Sequence, residues 1–218
     1  MPKIIIVHYE EDPEAIIQLR LDTRYLWGGH VNYIARAIAS ILADVPALSA
    51  IADRLTTNSE ELGQWFATYY GVDCASACTD LIKEHVQIGI DSVMAIKAKA
   101  STTALEAKNL ANATAFADCL ASYDSVNWAK SIILPLLTDH NECTVAQAAA
   151  RASGDWSADL VAYDACCLGI VKLADVLSTG VVDSFPNKFV HYEEFTAPNR
   201  VPNIVYNTNV NGILFKKK

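Results

Sequence analysis

The sequence predicts an all-α protein: an antiparallel up-and-down helical bundle, four long helices plus shorter ones, with extended N- and C-terminal arms. Three observations predict it. Apolar residues recur at three- and four-residue steps through most of the chain. Alanine is abundant and glycine sparse, at 9 of 218 residues, a composition that favours helix over sandwich or barrel. The two ends depart from this pattern, which divides the chain into an arm over 1–13, a bundle over 14–186 and a tail over 187–218.

Residues 1–13 read as extended, a β-branched run followed by Glu10-Glu11-Asp12 and Pro13. From Glu14 a helical stripe runs through Leu19, Thr23, Trp27, His30, Ile34 and Ile41, and Pro46 ends it, because the residue before proline avoids the α region. A second helix spans 47–70. Thr57-x-x-Glu60 suggests a capping box that restarts it, and Gly71 suits a C-cap. A third covers about 73–99, with His85 on its stripe, and a fourth about 103–122. A fifth, about 126–139, contains Pro135, expected to kink or split it. Thr144 is expected to open a short alanine-rich piece, with Gln147 placed for another capping box. Asp155 opens the last long helix, stopped by Phe185-Pro186. The stripes are broader than a two-position seam, which favours a globular bundle over a coiled coil.

The tail holds six asparagines and five basic residues against two acidic ones. Short β-prone islands, Ile204-Val205-Tyr206 and Ile213-Leu214-Phe215, sit between turn residues. One internal echo joins the ends: Val7-His8-Tyr9-Glu10-Glu11 recurs as Val190-His191-Tyr192-Glu193-Glu194. It reads either as coincidence between acidic linkers or as one strand-like anchor used twice, pairing with itself or docking on equivalent sites.

A net charge of −8 argues against a generic nucleic-acid binder. No run of 18 apolar residues occurs, so no membrane span is expected. The N-terminus lacks the apolar region of a signal peptide. The six cysteines, Cys74, Cys78, Cys119, Cys143, Cys166 and Cys167, have apolar helical neighbours and no CxxC spacing. They read as reduced, mostly buried thiols in a cytosolic setting.

Enzyme signatures are missing: GxGxxG, GxxxxGK[ST], GxSxG, HExxH, and the ExxH of di-iron bundles. The chemistry that remains is histidine. His30, His85 and His140 each fall on the apolar stripe of a different helix. Neutral imidazole is the commonest metal ligand, and bundle cores are where such sites are built. Acidic companions are Glu60, Glu61, Asp91, Asp139 and Asp164, and Asp164-x-x-Cys167 shares a helix face. The bland alternative is three core histidines satisfied by their neighbours. The tryptophans read as packing, Cys74 and Cys78 as two small residues on one face, and Lys216-Lys217-Lys218 as a solvated end.

Several segments resemble a known family: Leu21-x5-Trp27-x2-His30-Val31, Asn58-Ser59-Glu60-Glu61-Leu62-Gly63, Tyr69-Tyr70-Gly71, Leu81-x3-His85-Val86-x-Ile88, Trp156-x2-Asp159-x3-Tyr163-Asp164, and Ala174-Asp175-x-Leu177-Ser178-x-Gly180 through Phe185-Pro186-x-Lys188-Phe189. They are similar to an uncharacterised family of helical bundle proteins from spore-forming bacteria, often labelled glycosyltransferase or acetylglutamate kinase. The likeness covers about residues 19–189. It implies a bundle with one histidine on each of several helices, matching His30, His85 and His140. The fourth would fall at Cys167, where this chain departs. The phosphate-cradling elements those labels require are absent, so the likeness transfers a fold and not an activity.

Two main functional expectations follow, with an unrecognised small-molecule enzyme as a weaker third. The first is a non-enzymatic structural protein without a cofactor, in the cytoplasm or in a virion. Its arms, 1–13 and 190–218, would tie it to protein partners in a larger oligomer or shell, in the manner of a minor capsid or cement component. The second is a metal-binding or redox-active bundle holding a transition metal ion at His30, His85, His140 and Cys167.

Overall fold

The computed structural model describes residues 5–196, 206–208 and 214–216, with side chains from 11 to 190. The chain forms two units, one from residues 19–184 and one from the two ends, 1–18 and 185–218.

The central unit is the expected helical bundle. Helix α1 spans Pro13–Leu42, α2 Leu48–Lys97, α3 Thr103–Tyr123, α4 Lys130–Ser153 and α5 Trp156–Ser184. Start signals behave as the sequence suggests at two helices. Asp12 Oδ1 accepts from the amides of Glu14 and Ala15 ahead of α1, and Asp155 Oδ1 accepts from the Ala158 amide at the start of α5.

Helix α2 is broken at Gly71, whose φ of 85° and ψ of 178° are closed to residues with a side chain. The break reverses the chain. Lys83 Nζ donates to Glu60 Oε1 at 2.7 Å across it, and a Cβ at Gly63 would overlap Thr79 Oγ1 and lie 3.0 Å from the Ala75 carbonyl. Residues 48–70 and 72–97 are therefore the two arms of a helical hairpin, and Gly71 is its apex rather than a plain cap.

Two expected helix starts do not occur and Pro135 does not split its helix, each for a local reason. Thr57 Oγ1 donates back to the Asp53 carbonyl at 3.1 Å and Ser59 Oγ to Leu55 at 2.9 Å. Hydroxyls satisfied this way ride inside a helix instead of capping one. Thr144 does the same toward the His140 carbonyl, at 2.8 Å, so the alanine-rich piece simply continues α4. Pro135 is the sixth residue of α4 and lies exposed, as does Ser131, whose carbonyl loses its amide partner to the proline ring. Water can satisfy that carbonyl, and Thr138 Oγ1 donates to Leu134 and Pro135 oxygens just beyond it.

The helices are joined by specific contacts. Asn58 Nδ2 donates to the Leu26 carbonyl of α1. Arg24 on α1 makes a two-pronged pair with Asp175 on α5. Asn112 Nδ2 on α3 donates to Leu81 at 3.0 Å, and Arg151 on α4 reaches the buried Asp159 on α5 at 2.6 Å. Between them Leu55, Leu62, Phe66, Ile82, Leu120, Trp128, Ile133, Ile170, Leu173 and Leu177 are almost wholly buried. Each contributes about 1.5–3 kcal/mol of burial free energy.

Helix α5 is the one described helix that bears on the expectation of no membrane span, and it leaves that expectation standing. By length and composition it could cross a membrane, with a mean hydropathy of 1.8 over its best window, 44% of it buried inside the protein. Glycine, lysine and aspartate interrupt the stretch, so it contains no unbroken apolar run of 18 residues. In the fold its Cys166, Ile170, Leu173 and Leu177 face the core, while Leu160, Val161 and Leu168 are exposed.

The terminal unit contains a four-stranded sheet of order β2-β1-β4-β3, built from β1 Ile5–Glu11, β2 Val190–Thr196, β3 Tyr206–Thr208 and β4 Leu214–Lys216. The echoed pentapeptides are partners. β1 and β2 run antiparallel with Tyr9 opposite Tyr192, His8 opposite Glu193 and Glu10 opposite His191. Identical segments paired antiparallel about their central residue give a locally symmetric rung pattern. β4 joins β1 in parallel and β3 joins β4. The ends, expected as extended arms with pairing of the echoed segments as one option, thus pair with each other. The strand islands of the tail fall one to two residues later than expected, and residues 204, 205 and 213 lie outside the described residues.

Candidate metal centre

The three stripe histidines meet. His30 comes from α1, His85 from the second arm of α2 and His140 from α4. Their ring centroids form a near-equilateral triangle with sides of 5.5, 5.6 and 5.4 Å. One ligand nitrogen from each ring lies within 4.8 Å of the other two. Tetrahedral coordination with metal–nitrogen bonds of about 2.0–2.1 Å sets such nitrogens roughly 3.4 Å apart, so small ring rotations complete the geometry.

The position of each ring follows from helical spacing. His30 continues the buried row Leu19, Thr23, Trp27, Ile34 on α1. His140 follows Leu137 by three residues and precedes Thr144 by four, all buried on α4. His85 lies between buried Ile82 and Val86 but is itself only partly covered. A cavity of about 20 Å³ lies among the three rings, bounded also by Trp27, Leu137 and Asn141. That volume suits one water molecule or one ion, and is far below the several hundred cubic ångströms of an organic-ligand site. A second cavity of about 10 Å³ shares His85 and Asn141 with the first. Asn109, Asn141 and Val145 line both that cavity and a surface groove of about 440 Å³ between α3 and α4.

Both ring nitrogens of His30 and both of His140 are buried without a hydrogen bond of normal geometry, although the Asn58 carboxamide is near enough to act on His30. Buried polar atoms are normally paired. The indole nitrogens of Trp27, Trp65 and Trp128 share that condition, but an indole can only donate, whereas each neutral imidazole carries one lone-pair nitrogen, and one nitrogen from each ring lies near the other two. Burial holds the His30 pKa well below 6.5, and the neighbouring His85 and His140 lower it further, while the Asn58 carboxamide acts in the other direction. Burial lowers His85 to about 4. Burial, with His85 beside it, lowers His140 to about 3. All three rings are therefore neutral near pH 7, the form that binds a metal.

The other sequence candidates lie elsewhere. Cys167 does not belong to the histidine group among the described residues. One step along a helix is a turn of about 100°, and its neighbour Cys166 is the one that faces inward. The ligand atoms of Cys143 and Cys166 lie within 4.8 Å of His140. These two cysteines form a disulfide between α4 and α5, with Cα atoms 5.6 Å apart, which corrects the expectation of reduced thiols for this pair. Cys74, Cys78, Cys119 and Cys167 are free. Glu60 and Glu61 pair with Lys83 and Arg54 at the surface, Asp91 accepts from Gln87, and Asp139 and Asp164 are exposed. His8 and His191 have side chains outside the described residues.

Sequence reasoning missed Trp27, Asn112 and Asn141 as surroundings of the cavity. A signal existed for Asn112, a carboxamide on the buried stripe of Ala113, Phe116 and Leu120.

Against known proteins, no family model matches the chain, nor does any curated protein or solved structure.

Proposed function

We propose that this protein is a metal-binding helical bundle whose core holds one transition metal ion between His30, His85 and His140. The observation that carries the reading is the convergence of three neutral imidazoles, four of whose ring nitrogens lack a hydrogen bond of normal geometry, on a cavity the size of one ion. An all-imidazole donor set favours zinc, copper, nickel or iron over magnesium or calcium. The small cavity leaves no room for an organic substrate beside the ion, so the reading claims metal binding and names no reaction. Loading the purified chain with zinc and removing excess is expected to leave one equivalent bound, and His85→Ala, the least buried of the three, is expected to bind none. Failure of the wild-type protein to retain zinc, copper, nickel or iron near one equivalent overturns the reading.

A second reading is assembly. What favours it is the position of β2, a seven-residue strand at the edge of the terminal sheet, since an edge strand offers unpaired backbone groups to another chain. Native mass spectrometry of the full chain and of one lacking residues 190–218 tests it. Higher-order species are expected only for the full chain, and a monomer in both cases counts against it. The family likeness over residues 19–189 remains a proposal of the same kind.

A further inference from the structure

His140 stands between two donor sets. On one side are the imidazoles of His30 and His85. On the other are the sulfurs of Cys143, three residues along α4, and Cys166 on α5, whose ligand atoms lie within 4.8 Å of one another and of His140. In the structure those sulfurs are bonded to each other. A disulfide is a poor ligand, whereas two thiolates are strong ones.

We propose that reduction of the Cys143–Cys166 disulfide opens a second metal site, formed by His140 and the two thiolates, which takes His140 away from the three-histidine site. The competition rests on the reading proposed above; the new site does not. The chemistry balances. A dithiol reductant transfers two electrons and two protons, the S–S bond breaks, two thiols form, and the reductant leaves as its own disulfide. A divalent ion then displaces both thiol protons to solvent and forms two metal–sulfur bonds and one metal–nitrogen bond. Cys143 is partly exposed, so an incoming thiolate reaches its sulfur first and Cys166, buried, is the leaving group.

Electrostatics gives the direction of transfer. Three neutral imidazoles leave a divalent ion with its full double charge in an apolar core, which is costly. Two thiolates and one imidazole neutralise it. Thiolates are also the softer donors and suit zinc and copper(I). Reduction is thus expected to move the ion toward the α4–α5 interface.

Cobalt(II) titration of the full chain tests this, before and after treatment with a water-soluble phosphine that is then removed. Free thiols should rise from the four of the oxidised protein to six. The oxidised protein is expected to bind one equivalent with ligand-field bands alone. The reduced protein should bind one equivalent with intense near-ultraviolet thiolate-to-cobalt absorption. A Cys143→Ser/Cys166→Ser variant should keep the first spectrum and lose the second, and His30→Ala, checked for fold by circular dichroism, should do the reverse. Absence of the charge-transfer bands in reduced wild-type protein overturns the proposal, as does their persistence in the double-serine variant. If the oxidised protein binds no cobalt while the reduced protein shows the sulfur bands, the three-histidine reading fails and this one stands.

Discussion

Asp124 and the histidines His30 and His140 are polar groups set into the same apolar bundle, and only the carboxylate has a full set of hydrogen bonds. Asp124 is 8% exposed. It accepts hydrogen bonds from Tyr70 Oη at 3.0 Å, from the Asn127 amide at 2.9 Å and carboxamide at 3.1 Å, and from Ser184 Oγ. Burial pushes its pKa up, but the bonds from Ser184, Asn127 and Tyr70 outweigh that and hold it below the ordinary carboxylate value. The result locks the α3–α4 connection to the ends of α2's first arm and of α5. His30 and His140 are buried as deeply, without any such bond. A polar cluster that is fully satisfied contributes to stability, while one left unsatisfied weakens the fold unless something else occupies it. The difference separates a structural polar site from a binding site.

The contrast breaks apart first under acid. Each histidine's folded pKa lies below its unfolded value near 6.5, so the unfolded state binds more protons as pH falls beneath 6.5. Stability is therefore full above that pH and declines toward about 4 for His85 and about 3 for His140, at roughly 1.4 kcal/mol per pH unit for each ring. The Asp124 contribution is lost only lower, as pH falls below the usual carboxylate range of about 4. Denaturant titrations at pH 7, 5.5 and 4.5 should show the histidine loss already at 5.5. Equal stability at 7 and 5.5 would contradict the assigned burial.

Metal is expected to reverse the histidine deficit. At a free zinc concentration a thousand times the dissociation constant, stability should rise by about 4 kcal/mol, visible as a higher melting temperature in wild-type protein and absent in His85→Ala. Next in size, Asp124→Ala should cost about 3 kcal/mol, because it strands the Tyr70, Asn127 and Ser184 donors, while leaving metal uptake unchanged. His30→Leu sharpens the comparison from the other side. It abolishes metal binding, yet the metal-free protein should be unchanged or more stable by about 1 kcal/mol, since it removes two unpaired buried nitrogens. A clear loss of stability there would mean the imidazole is structural. Smallest of all, Thr57→Ala should move stability by less than about 0.5 kcal/mol, because its hydroxyl only back-bonds within α2 and caps nothing.

The helices were legible because apolar spacing is a local property of the chain. Their interruptions were harder to read, since Thr57 and Thr144 carry the same hydroxyl whether they cap a helix or back-bond inside one, and surrounding packing makes the choice. Each histidine could be placed on a buried stripe from its own helix. Their meeting could not be derived, because it depends on the azimuth and height of α1, α2 and α4 relative to one another. The same limit exchanged Cys166 for Cys167, a difference of one residue and about 100°, and hid the disulfide, which needs α4 and α5 side by side. The pentapeptide echo narrowed the pairing of the ends to a few options without selecting among them.

Strands β1 and β2 are neighbours in space although every helix lies between them along the chain. Closing so long a loop is entropically expensive until the helices have shortened it, and contacts of such high sequence separation form slowly. The terminal sheet is accordingly a late event in folding. On a ribosome β1 emerges before every helix, and it has no mate until β2 follows them.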